Sequence, residues 1–112
     1  VTEPSLEDQE ERLASLQEML AEDPESAFLR YGVAMQLKGL GRANEALVEY
    51  ERLVRESADY VPTYYHYAAL LGQEGREEEG VAVARLGVER AEAAGNSHAK
   101  SELLDLIDEL DG

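Results

Sequence analysis

The sequence predicts an all-α fold of six helices, and three observations carry that reading. Apolar residues recur at the three- and four-residue spacing of one helix face through nearly the whole chain. No stretch sustains the alternation of a strand, and capping residues or glycines fall where the periodic runs begin and end. The first run, Leu6, Leu13, Leu16 and Leu20, is headed by Ser5 and Asp8 in the manner of a capping box, which predicts a helix from Ser5 to Ala21. Asp23 followed by Pro24 predicts the start of a second, running to Lys38 through Leu29, Val33 and Leu37. Beyond Gly41, the run Ala43, Ala46, Leu47, Tyr50, Leu53 and Val54 predicts a third from Arg42 to Glu56. A fourth is placed from Val61 to Gln73 ahead of Gly75, a fifth from Arg76 to Ala94 ahead of Gly95, and a sixth from Ser97 to Leu110. The connections are only a few residues long, so consecutive helices run antiparallel.

Size and composition bound the function. At 112 residues, 44% apolar and 31% charged, the chain is long enough for one compact domain and short for two independent cores. Its 10 Lys and Arg against 25 Asp and Glu give a formal charge of −15, which repels phosphate-rich partners, so no nucleic acid partner is expected. The absence of Cys removes disulfides, thiolate metal ligands and cysteine nucleophiles together. No run approaches the roughly 18 apolar residues of a membrane span, and the amino terminus lacks the basic flank and apolar stretch of a signal peptide. The expectation is a soluble, cytoplasmic chain with no membrane partner. Val1 in place of Met points to a processed product or to a piece of a longer protein.

Sliding the sequence against itself by 34 residues aligns Tyr31 with Tyr65, Ala34 with Ala68, Leu37 with Leu71, Gly41 with Gly75, Arg42 with Arg76, Glu45 with Glu79 and Val54 with Val88. These pairs lie on corresponding faces of two helix-turn-helix units. A period of 34 with this spacing of small, large and glycine positions resembles the tetratricopeptide repeat family, in the form of a small bacterial-type protein with two repeats and flanking helices. The resemblance implies antiparallel helix pairs stacked as a short right-handed α-solenoid. A single domain over 1–112 would then comprise an N-terminal helix over 5–21, resembling a degenerate half repeat, repeats over 27–57 and 61–91, and a C-terminal capping helix over 97–110.

Within that pattern Ala34 and Ala68 take the family's small position, Leu37 and Leu71 the large one a turn later, and Gly41 and Gly75 the tight turn. Ala46 and Tyr50 make the first repeat the more typical. Two places depart: Arg30 stands where Trp is common, with Tyr64 as its counterpart, and Gly80 and Ala84 replace the second repeat's small and aromatic pair. Gly80, Ala84 and Gly87 form a stripe of minimal side chains, on which Tyr64 and Tyr67 of the preceding helix are expected to rest.

No catalytic constellation is present. His66 and His98 are the only imidazole bases and neither lies in a serine motif, so no enzyme activity is expected. His98 and Glu102, one turn apart, make two ligands at most, so no metal is expected. Gly39, Leu40 and Gly41 join two helices without the strand, loop and Lys-Ser/Thr context of a phosphate loop, so no cofactor is expected either. Glu77, Glu78 and Glu79 are read as favourable charge at the positive end of a helix dipole.

The resemblance implies recognition instead, because the first helices of stacked repeats line a concave surface. By the family's geometry the groove residues are Phe28, Tyr31, Met35 and Lys38 from the second helix and Tyr65, His66, Ala69 and Gln73 from the fourth. The expected partner is a peptide or helix of another protein, bound by a monomer; the alternative is a structural or regulatory segment of a larger multidomain protein. One subtype of the family grips chaperone carboxylate tails with Lys and Asn, but Tyr31, Met35 and His66 occupy those places, which disfavours such an adaptor. The acids are unevenly spread: nine against Arg12 in residues 1–25, eleven against eight bases in 26–95, and five against Lys100 in 96–112. A basic partner, a halophilic cytoplasm and charged solenoid ends each account for this, and two Lys beside eight Arg favours the second.

Overall fold

The computed structural model describes residues 3–112, and Val1 lies outside them. Among the described residues there are six helices and no strand: α1 (Leu6–Glu22), α2 (Ala27–Gly39), α3 (Ala43–Glu56), α4 (Pro62–Gln73), α5 (Glu77–Ala93) and α6 (Ser97–Asp111). Five of the expected helices agree to within a residue at each end. The exception is α2, which begins at Ala27 and not at Pro24. Ser26 takes the cap because its hydroxyl, on extended backbone, accepts from the Leu29 amide at 3.1 Å, while Asp23 and Pro24 stay in the turn.

Helix ends share one chemistry. After α2 the Gly41 amide donates to Lys38 O at 3.0 Å and the Arg42 amide to Leu37 O at 2.9 Å; after α4 the Gly75 amide donates to Gly72 O at 3.1 Å and the Arg76 amide to Leu71 O at 2.8 Å. These paired reversals are Schellman motifs, and they need φ of +76° and +79° at the two glycines, a region other residues enter at a cost. Each is followed by a bidentate pair at the start of the next helix: Arg42 donates to Glu45 at 2.6 and 2.7 Å, Arg76 to Glu79 at 2.9 and 2.7 Å. The hydrogen bond from the guanidinium holds each carboxyl below its ordinary value.

The chain forms two compact units, Val1–Leu53 and Val54–Gly112. In the first, α1 and α2 run antiparallel: Leu16 packs over Gly32, and Gln36 Nε2 donates to Gln9 O at 3.4 Å. Leu13, Val33, Ala34, Leu37, Ala46, Leu47, Tyr50 and Leu53 are buried there. Arg30 is only 7% exposed, yet it is satisfied, because Nη1 meets Glu49 at 3.0 Å and Nη2 donates to Pro24 O at 3.1 Å. Its repeat counterpart Tyr64 is fully buried and donates its hydroxyl to Ala58 O at 2.5 Å. The acceptor in both repeats is the carbonyl six residues upstream. Arg30 therefore reproduces the aromatic residue's anchor with a charged side chain and an ion-pair partner.

The second unit is built on Val61, Tyr64, Ala68, Ala84, Ala91, Leu103, Leu106 and Ile107. Tyr64 rests on Gly87 as expected, so closely that a Cβ on Gly87 would lie 2.5 Å from Tyr64 Cβ. Tyr67 does not complete the arrangement. Gly80 faces the Ala68 carbonyl and Leu110, because Tyr64, Ala68 and Gly72 form the contacting stripe at four-residue spacing while Tyr67 is set off it and half-buried. The pairing of Tyr64 with Gly87 and Gly72 with Gly80 makes α4 and α5 antiparallel, and Leu103 and Leu110 of α6 close over the same glycines. Among the described residues, Thr63 Oγ1 near the start of α4 is a buried polar atom without a hydrogen-bond partner.

Candidate functional site

Two helix faces carry the residues expected to bind. On α2 the buried residues Arg30, Val33, Ala34 and Leu37 turn one side inward, which leaves Phe28, Tyr31, Met35 and Lys38 at three- and four-residue spacing on another. Phe28 is 71% exposed, whereas Tyr31, Met35 and Lys38 are half-buried. Met35 is fixed from beneath, since the Tyr50 hydroxyl donates to its sulfur at 3.0 Å. Burial pushes the Tyr50 phenol well above its ordinary value, with neighbouring Tyr31 adding to the shift.

On α4, Tyr65 is exposed and its ring meets that of half-buried His66 edge-on, with centroids 5.5 Å apart and planes at 77°. Ala69, a turn beyond Tyr65, packs against the core of the second unit, and Gln73 at the helix end is exposed. Gly72, beside Gln73, belongs to the stripe that packs on α5 and is covered by Leu110 of α6. These features suit contact with a surface, because exposed aromatic rings supply area at low entropy cost. His98 Nε2 lies 3.4 Å from Glu102 Oε1 with both side chains in solvent, and among the described residues no group of three or more His, Asp or Glu gathers as metal ligands would. Among the described residues no helix is long and apolar enough to cross a membrane.

A surface outside the expected set is a depression of about 510 Å³ along α1, lined by Asp8, Glu11, Arg12, Ser15, Leu16 and Met19. It lies outside the expected face because the family's groove is lined by the first helix of each repeat.

Known structures share the arrangement. A crystal structure of a tetratricopeptide repeat domain protein from Salinibacter ruber is 32% identical with a TM-score of 0.75, and the match covers 78% of this chain and 98% of that one. A solution NMR structure of a tetratricopeptide repeat domain protein from the same organism is 34% identical with a TM-score of 0.76, covering 80% of this chain and 90% of that one. The chain belongs to the tetratricopeptide repeat family. No family model and no curated protein matches the sequence. The tetratricopeptide repeats here retain the family's small and large positions as Ala34, Ala68, Leu37 and Leu71, all buried. Repeats of this class generally serve as modules for protein interaction.

Proposed function

We propose that the chain is a non-catalytic interaction module and that a peptide or partner helix binds along the exposed faces of α2 and α4, the elements that line the concave groove of stacked helix pairs. The observation that carries the reading is Phe28, 71% exposed at the head of a stripe with Tyr31 and Met35, where burial in a partner would remove a large apolar area from water. Tyr65 and His66 add an amphipathic counterpart on α4. Repulsion between copies of a chain with formal charge −15 favours a monomer, and the same charge favours a partner that is not itself acidic. Low Lys usage beside this charge supports a halophilic cytoplasm as the place of work.

The test is capture of cross-linked partners from the source cell at native salt with the parent chain and with the Tyr31→Ala/Tyr65→Ala variant, whose helicity is checked by circular dichroism. Loss of a partner by a folded variant is the expected result. Recovery of every partner by the variant would place recognition elsewhere.

A further inference from the structure

The turn between α1 and α2 carries charge that the fold does not use. Glu22, Asp23 and Glu25 are exposed, and among the described residues none of the three has an ion-pair partner. Glu22 ends α1 and Asp23 caps it, where the negative pole of the helix dipole disfavours carboxylates, and the last turn of α1 holds no base to relieve them. Nor does α2 need them, since Ser26 supplies its cap. In the second repeat the equivalent turn is neutralised from within the chain: shifted by 34, Glu25 falls on Asp59, which meets Arg90 at 3.3 Å. Carried back by the same shift, Arg90 falls on Glu56, so the first repeat has an acid where the second has the base. Three residues beyond Glu25, Phe28 is 71% exposed, and Tyr31 and Met35 continue its stripe half-buried. The counterpart of Phe28, Pro62, is exposed as well although a whole repeat precedes it, so solvent access at this position belongs to the repeat itself.

We propose that the amino-terminal end of the α2 face receives a segment of a partner protein in which Lys or Arg stands beside a bulky apolar residue. The apolar side chain covers Phe28 and Tyr31, and the base lies over the carboxylates of Glu22, Asp23 and Glu25. Charge complementarity selects this occupant, because three carboxylates without internal partners attract a cation and repel an acidic chain. The face of the Phe28 ring adds attraction for the same cation. A second copy of this chain, with formal charge −15, carries the wrong sign. The α4 face lacks both parts, since Pro62 stands in place of Phe28 and Asp59 is engaged by Arg90. The proposal rests on the reading that α2 binds a partner, and it adds the chemistry of that partner and the place where its charge is read.

The experiment selects a displayed library of random peptides on the immobilised full chain, then synthesises the most enriched peptide with a fluorescent label and titrates it by anisotropy. Enrichment of Lys or Arg beside an aromatic or long aliphatic residue is expected. Binding should weaken about tenfold, as loss of a close charge pair does, when Glu replaces the base in the peptide or when Glu22→Gln and Glu25→Gln are combined in a chain whose melt matches the parent. Glu25→Lys should restore part of the affinity for the Glu-substituted peptide, a rescue that a merely structural role of the turn would not give. Phe28→Ser should weaken both peptides. Enriched peptides that lack a base, or a preference for the base that survives Glu22→Gln with Glu25→Gln, would overturn the proposal; a loss of binding in Phe28→Ser would then leave α2 as the partner's site without the charge. Absence of any enrichment would also overturn it, and the broader reading would still be decided by the capture of cross-linked partners.

Discussion

Replacing Gly87 with Ala inserts a single methyl carbon, and the structure fixes where it goes. It would lie 2.5 Å from Tyr64 Cβ, 2.9 Å from Tyr64 Cγ and 3.0 Å from Leu103 Cδ1, where carbon atoms prefer about 3.5–4.0 Å. Tyr64 cannot swing aside, because it is fully buried and its hydroxyl is held by Ala58 O at 2.5 Å. Relief therefore requires separating α4 from α5, an overpacking penalty in the upper part of the usual range, about 2–3 kcal/mol. Ala is the better helix former by about 1 kcal/mol, which offsets part of this. The expected net loss is about 1–2 kcal/mol, or a melting temperature lower by roughly 4 °C for each kcal/mol in a domain of this size. Gly72→Ala supplies the contrast. There the new methyl meets only the end of Leu110, a half-buried side chain near the end of α6 that can rotate away, so the gain in helix propensity should leave stability unchanged or higher. Urea unfolding followed by far-UV circular dichroism measures both. A Gly87→Ala chain as stable as the parent, or a Gly72→Ala chain that loses as much, would refute the close-approach argument.

Three further outcomes are expected. Thr63→Val should raise stability by about 1 kcal/mol, because it replaces an unpartnered buried hydroxyl with a methyl of similar size; a lower urea midpoint would mean the hydroxyl is bonded in solution. Folded Tyr50 holds its proton more tightly than the unfolded chain does, so its contribution is complete below the ordinary phenol value of about 10 and is lost as pH rises from there towards the folded value. The urea midpoint should therefore fall with rising alkalinity, with a shallower slope in Tyr50→Phe; equal slopes would contradict the assignment. Repulsion among the acids concentrated in residues 1–25 and 96–112 is screened over about 8 Å at physiological ionic strength and about 3 Å in molar salt, so the midpoint should rise with sodium chloride. A midpoint indifferent to salt would remove that argument.

The features legible from sequence are those set within one helix and its cap. Gly41 and Gly75 mark their turns because the reversal demands positive φ, and Ala34, Leu37, Ala68 and Leu71 mark the buried face through spacing alone. What spacing does not carry is the identity of the atom across the interface. Tyr67 falls beside the contacting stripe, so Leu110, far along the chain, fills the place expected of it. Arg30 reads as a departure from the pattern until its guanidinium is seen joining Glu49 and Pro24 O. The start of α2 is not legible from spacing because Ser26 competes with Asp23–Pro24 for the cap, and the hydroxyl geometry decides between them. The candidate site shows the same division. Phe28, Tyr31, Met35 and Lys38 share a stripe that periodicity predicts, whereas Ala69, a turn from exposed Tyr65, ends at the core because its side chain is too short to reach beyond it.

Hydrogen–deuterium exchange of the full chain with and without a captured partner tests the central claim most directly, since it locates the bound surface helix by helix without altering a residue. The account predicts slowed exchange in α2 over residues 28–38 and in α4 over residues 62–73. Protection confined to α3, α5 or the acidic ends would contradict it.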